Sequence, residues 1–207
     1  MKSTTTSKNH WENIYDNKRD EEVSWYQEVP TASLNLISSL KLNRDVAIID
    51  IGGGNSTLSG KLLDIGFINL SILDISANAL ERTKTKLKEK AANVLWFVSD
   101  ILDFQPDKVY DLWHDRATFH FLTKEEDILR YIDIVSHSLK SGAYFILGTF
   151  SISGPKNCSG LDVMQYSSDT LKELFSKNFV QLKSFDSIHK TPFETEQDFI
   201  FSLFQKI

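Results

Sequence analysis

The stretch Val46–Thr57, VAIIDIGGGNST, constrains this chain more than any other part of it. Val46–Ile51 is apolar except for Asp50 and reads as a buried strand that runs straight into Gly52, Gly53 and Gly54. Glycines at that point let the backbone turn sharply into a helix and let a ligand approach the main chain. The residues that follow repeat the pattern. Ser56–Ile65 reads as a helix, with Leu58, Leu62 and Leu63 on one side, and Asn69–Asp74 as a second strand. Ser76 is placed to cap a helix carrying Ala79, Leu80, Leu87 and Ala91. Asn93–Ser99 and Val109–His114 read as strands three and four. Ile128, Ile132, Val135 and Leu139 recur at helical spacing, so Lys124–Leu139 is a long amphipathic helix that Ser141-Gly142 stops. Ala143–Phe150 is strand five. Apolar strands separated by crossover helices predict an α/β fold: three layers, doubly wound, with a mostly parallel sheet. The tail differs. After a helix near residues 168–177, Phe179–Ile188 and Gln197–Ile207 read as two strands paired antiparallel at one edge.

The length, 207 residues, suits one body from residue 46 to 207 with a leading segment over 1–45. That segment holds Trp11, Tyr15, Trp25 and Tyr26, a density that predicts packing onto the body. With 23 Lys+Arg against 28 Asp+Glu, the chain lacks the basic surplus that phosphate-backbone binding needs, so no nucleic-acid partner is expected. The Lys84, Lys86, Lys88 and Lys90 series reads as a solvated helix face. Cys158 stands alone, so no internal disulfide forms, and no CxxC, HxxxH or HExxH spacing suggests a metal. No apolar run approaches the ~20 residues of a membrane helix. Met1–Lys8 has no apolar stretch behind its lysine, so it is not read as a secretory signal. A soluble, cytoplasmic protein with no membrane partner is the expectation.

Three strand ends deliver acids to one rim of the sheet: Asp50, Asp74 and Asp100. Open α/β sheets bind ligands at that carboxyl edge. Asp74 lies 20 residues after Gly54, where an acid can accept hydrogen bonds from both ribose hydroxyls. A P-loop would need GK[ST], which is absent, and a nicotinamide fingerprint would need glycine where Thr57 stands. Asp50 would also repel a pyrophosphate. An acid-ringed pocket fits S-adenosylmethionine, which carries a sulfonium and an ammonium and no phosphate.

On these residues the chain resembles the class I S-adenosylmethionine-dependent methyltransferases. The matching pieces are Asp50-Ile51-Gly52-Gly53-Gly54, Asp74-Ile75-Ser76 and Ser99-Asp100-Ile101, in that order. The resemblance implies the Rossmann-like methyltransferase fold, a seven-stranded sheet with an antiparallel last strand. By the same resemblance, Gly52, Gly53 and Gly54 shape the loop under the methionine part and Asp50 approaches its amino end. Asp74, Ile75 and Ser76 hold the ribose side, and Asp100 and Ile101 flank the adenine. S-adenosylhomocysteine would be the product.

His10-Trp11-Glu12-x-x-Tyr15 and Ser24-Trp25-Tyr26-Gln27 look like lid motifs of a bacterial subgroup loosely similar to thiopurine and thiol methyltransferases. Trp11, Tyr15 and Trp25 would then close over the cofactor, as aromatic faces attract a cation. Trp113-His114-Asp115-Arg116 is similar to the segment in thiol methyltransferases whose arginine faces the acceptor; here His114 is an insertion in that pattern. Arg116, His120, His114 and Asp115 are the candidate catalytic residues, with the two imidazoles as natural proton carriers near pH ~6.5. Tyr166 is a further candidate for substrate contact. Cys158 is read as a small pocket or core residue, and His137 and His189 as solvent-facing. The expected reaction is methyl transfer to a small-molecule nucleophile, with a thiol favoured and protein lysine as the alternative. A nicotinamide-dependent oxidoreductase and a cofactor-binding module without turnover are the competing classes.

Overall fold

β1 (Ile48–Ile51) is buried at all four positions because it has a parallel neighbour on each side and a hydrophobic core on each face. Ile49 and Ile51 face one core and Ile48 the other, as strand alternation requires. The computed structural model describes residues 3–207, with side chains from Ser7 onward. α3 (Leu58–Asp64), β2 (Leu70–Asp74), α4 (Ala77–Leu87), β3 (Val94–Val98), β4 (Tyr110–Arg116), α5 (Glu125–Ser138) and β5 (Leu139–Phe150) follow. α6 (Ser168–Phe175) leads into β8 (Phe179–Lys190) and β9 (Glu196–Lys206). The seven-stranded order is β3-β2-β1-β4-β5-β9-β8, with β9 antiparallel to both neighbours. The expected architecture, a doubly wound sheet with an antiparallel last strand, is the one found.

Polar residues lengthen two strands beyond their expected bounds. β4 continues past His114 through Arg116, because Asp115 and Arg116 pair with Leu147 and Gly148 despite their charge. β5 begins at Leu139 rather than Ala143. Leu139 already pairs with Tyr110, and Gly142, at φ +77°, sits inside the strand opposite a register shift. A two-stranded hairpin, β6 (Asn157–Cys158) and β7 (Leu161–Asp162), occupies the loop after β5. Its turn residues Ser159 and Gly160 both have positive φ, the geometry of a tight two-residue hairpin.

Ahead of the sheet lie α1 (Ser3–Asn17), a 3-10 turn at Asp20–Glu22 and α2 (Thr31–Ser39). α1 packs on α4. Lys86 is exposed, as expected of a solvated face, and there it pairs with Asp20 and donates to Asn55 at 2.5 Å, tying α4 to that turn. His189, expected at solvent, is buried. Its Nε2 donates to the Ser24 carbonyl at 2.7 Å because the segment before α2 lies across the end of β8. Among the described residues no helix is long and apolar enough to cross a membrane.

Candidate functional site

β1 enters its turn through Gly52, whose φ of +64° is open to glycine at no steric cost. The Gly52 and Gly53 amides donate to the Leu73 carbonyl at 2.8 and 3.3 Å, which folds the turn against the end of β2. The Gly54 amide donates to Asp74 Oδ2 at 3.0 Å, and the Ser76 amide to Asp74 Oδ1 at 2.8 Å. A Cβ on Gly54 would stand 2.5 Å from Asp74 Oδ2 and 2.7 Å from Ala79 Cβ. Only glycine therefore lets the β2 acid lie under the turn. Burial pushes Asp74 up to about 6, against the two amides that favour its charge. Ser76 caps α4 through Ala79, as its spacing predicted. Asp100 accepts from the Leu102 amide at 3.0 Å, and burial raises its pKa. Ile101 is buried beside it and Ile75 is half-buried.

The leading segment closes the same edge. Glu12 accepts from Ser76 Oγ at 2.7 Å and from the Ala77 and Asn78 amides at 2.9 and 3.2 Å. An acid at a helix N-terminus satisfies orphan donors and the helix dipole together. Partial burial opposes its charge, but these donors hold Glu12 below the usual carboxylate range. Arg82, on α4, donates to the Tyr15 carbonyl and to that of Lys18 at 2.6 Å. Trp11 stands edge-on to Trp25 and Phe121, with centroids at 5.7 and 5.1 Å, and Tyr15 meets Trp25 at 6.2 Å. Trp11, Tyr15 and Trp25 thus form one aromatic cluster at the acid rim.

At the end of β4 the polar groups form two sets. His114 is buried with both ring nitrogens engaged: Nδ1 with Asp50 Oδ1 at 2.6 Å and Nε2 with Ser33 Oγ at 2.8 Å. The proton carrier expected at His114 is therefore a ring held at both ends. Asp115 accepts from the Thr118 and Phe119 amides at 3.0 and 3.3 Å and from the Tyr131 hydroxyl at 2.7 Å. Burial pushes it up to about 6. These bonds pin a loop in which Ala117 sits at φ +69°, a strained angle for a residue with a Cβ.

The second set is open. Asp50 Oδ2 is buried without a hydrogen-bond partner. Arg116 donates from Nη1 to the Trp25 carbonyl at 3.0 Å, while Nε and Nη2 are closed to solvent and unpartnered. Its Cζ lies 4.9 Å over the Phe199 ring, and burial lowers the guanidinium to about 10. His120 is fully buried and stacked on Phe150 at 4.3 Å, with neither nitrogen hydrogen-bonded. Burial first, then the charge of Arg116, take it down to about 3. Cys158 is buried, in keeping with a core or pocket residue, and Tyr166 packs on Phe119 at 5.2 Å.

Asp50, Gly52, Gly53, Tyr15, Trp25 and Arg116 line one cleft, with a cavity volume of about 50 Å³. That space holds a water or two, and Trp11, Asp74, Ser76, Asp100 and Ile101 are not among the residues that line it. Sequence reasoning missed Ser33 and, though it placed Glu12 in the lid motif, gave it no role. Each acts on a residue more than sixty positions away. The donor set suits S-adenosylmethionine: Asp50 Oδ2 awaits a donor such as an ammonium, and Asp74 lies where Gly54 leaves no Cβ between acid and turn.

Comparisons with known proteins agree with this geometry. Residues 48–142 match the family model of a methyltransferase domain. The chain is 29% identical over 147 residues to malonyl-[acyl-carrier protein] O-methyltransferase 2 of Ilyobacter polytropus, covering 68% of this chain and 52% of that protein. It is 22% identical over 160 residues to human EEF1A lysine methyltransferase 2, covering 70% and 68%. The chain spans about half the length of the first curated relatives it matches. Among solved structures it is similar to 1,6-didemethyltoxoflavin-N1-methyltransferase of Burkholderia thailandensis, bound to 1,6-didemethyltoxoflavin and S-adenosylhomocysteine. That likeness has a TM-score of 0.76 at 16% identity and covers 98% of this chain and 88% of that one. Residues 48–142 thus match a methyltransferase domain, and the chain carries them on the Rossmann-like fold of the S-adenosylmethionine-dependent methyltransferases.

Proposed function

We propose that the chain is an S-adenosylmethionine-dependent methyltransferase whose acceptor is a small molecule with a nucleophile already reactive near neutral pH. The observation that carries the cofactor assignment is the glycine turn packed on Asp74 with the unpartnered Oδ2 of Asp50 beside it. Asp74, Ile75 and Ser76 would hold the ribose side, Asp100 and Ile101 the adenine, and Asp50 the amino end of the methionine tail. Bound S-adenosylmethionine supplies a methyl group on a sulfonium, a leaving group already activated. The chain's task is then to position and to exclude water, and orientation is worth ~7–11 kcal/mol in well-ordered reactions. The leading segment, residues 1–45, serves as the cover: Trp11, Tyr15 and Trp25 close the cleft over the cofactor, with aromatic faces toward a cation.

The acceptor preference rests on the absence of a ready base in the described site. His114 has both nitrogens engaged, Asp115 is spent on loop amides and Tyr131, and His120, taken down to about 3, is a weak base. A lysine ammonium must lose a proton before attack, whereas a thiolate or another soft anion need not. Protein-lysine methylation is the second reading. It is favoured by the similarity to human EEF1A lysine methyltransferase 2.

A melting panel tests the assignment. S-adenosylhomocysteine at about 100 times its dissociation constant adds ~2.7 kcal/mol. The melt should rise by on the order of 5–10 °C, and NADH should leave it unmoved. A shift with NADH alone would overturn the cofactor. Incubation of cell extract with methyl-labelled donor then separates the acceptors: label in small molecules supports the first reading and label in a protein band the second.

A further inference from the structure

Arg116 is the one guanidinium among the described residues whose Nε and Nη2 are both buried without a partner. These two nitrogens form the side-on edge of the guanidinium, the fork that meets a carboxylate with two parallel hydrogen bonds. The remaining nitrogen, Nη1, anchors the group to the Trp25 carbonyl at 3.0 Å, and its Cζ lies over the Phe199 ring at 4.9 Å from the centroid. The side chain is therefore held in place with its recognition edge unused. No carboxylate among the described residues comes within salt-bridge distance of it.

A buried guanidinium with hydrogen bonds unmade is costly, and the Trp25 carbonyl and the Phe199 ring offset only part of that cost. Asp50, the acid among the described residues that line the cleft, favours the guanidinium by its charge but makes no hydrogen bond to it. Its Oδ1 is taken by His114, and its Oδ2 is as bare as the arginine edge. The cleft thus presents an unsatisfied acceptor and an unsatisfied fork of donors that do not satisfy each other. One ligand group answers both: an amino-carboxylate, its ammonium toward Asp50 and its carboxylate toward Arg116.

We propose that Arg116 is the carboxylate receptor of this cleft, gripping an amino-carboxylate ligand side-on through Nε–H and Nη2–H. This rests on the methyltransferase reading for its two sources, the amino-acid tail of the cofactor or an amino-acid-like acceptor. Arg116 is a binding residue in either case and moves no proton.

Calorimetric titration of the whole chain separates the sources. The probes are S-adenosylhomocysteine, its decarboxylated analogue and 5′-methylthioadenosine, which lacks the tail altogether. The proteins are wild type, Arg116→Gln and Arg116→Lys; the lysine keeps the charge and loses the fork. If the cofactor's tail is the ligand, wild type prefers S-adenosylhomocysteine to the decarboxylated analogue by roughly 10- to 100-fold. Both variants lose that margin, and all three proteins bind methylthioadenosine alike, which shows that the variants are folded. If the acceptor is the ligand, the two nucleosides bind equally in every protein. Millimolar glycine or malonate then raises the melt of the S-adenosylhomocysteine complex in wild type and not in Arg116→Gln. No margin in wild type together with no response to either acid overturns the proposal. Should neither nucleoside bind wild type, the cofactor reading falls instead. The same two acids on the unliganded protein then decide: stabilisation lost in Arg116→Gln upholds the receptor, and no stabilisation ends it.

Discussion

The ends of β2 and β3 and the end of β4 lie along one edge of one sheet, yet they treat buried polar atoms in opposite ways. At β2 and β3 the acids are served by nearby backbone: Asp74 by Gly54 and Ser76, and Asp100 by Leu102. Around β4, Asp50 Oδ2, two nitrogens of Arg116 and both nitrogens of His120 are left bare. A native fold leaves few buried polar atoms unpaired. Three of these five atoms belong to Asp50 and Arg116, which line one cleft. The first region is complete as folded and offers spare lone pairs. The second is incomplete until something enters.

That contrast predicts unequal responses to mutation. The largest belongs to Gly54→Ala. The added methyl would press on Asp74 and Ala79, costing about 1–3 kcal/mol of stability. S-adenosylhomocysteine binding should fall below detection in a titration run beside a urea melt. An alanine variant that binds as wild type does would remove Asp74 from the ribose and collapse the comparison.

Next comes Asp74 itself. Its folded pKa is raised to about 6, so unliganded protein holds the proton below that pH. Ribose hydroxyls donate to the carboxylate, so binding must expel that proton at low pH. Affinity for S-adenosylhomocysteine should therefore climb from pH 5 through about 6 and level above it. Asp74→Asn should bind roughly 10- to 100-fold more weakly at pH 7 and show no such climb. A pH-dependent Asn variant would assign the titration to another group.

The smallest effect is Ser33→Ala. Losing one hydrogen bond to His114 costs ~1 kcal/mol, or about 2–4 °C in the melt. Ser33 touches His114, which in turn holds Asp50, so if Asp50 meets the tail's ammonium, S-adenosylhomocysteine should weaken a few-fold while methylthioadenosine holds. Equal loss of both would make Ser33 a packing residue only.

What could be read from the chain follows the range of the interactions. The glycine turn, the three acids and the Ser76 cap depend on neighbours within a few residues or on strand periodicity, and they stood out in the sequence. Ser33 did not, and Glu12 stood out only as part of the lid motif, without its partner. One sits in the helix before the sheet and the other in the first helix, and each meets its partner only after the fold is complete. The early start of β5 was hidden because Ser141-Gly142 looks like a helix stop, and it becomes a kink within the strand instead. Ser159-Gly160 did carry a hairpin signal, and flanking strands of two residues were too short to show it. At β4, the residue types announced chemistry but not its allotment: His114 and Asp115 are bound up in the fold while Arg116 and His120 are not.

One consequence concerns the carboxylate of Glu12, which supplies the first amides of α4 with their acceptor from 65 residues upstream. Detaching the front of the chain strips the start of the helix that follows Asp74. The Ala77 and Asn78 amides therefore serve as a built-in gauge of that detachment in deuterium exchange. A shortened protein that begins after Asn17 would carry its damage at those two positions, far along the sequence from the cut.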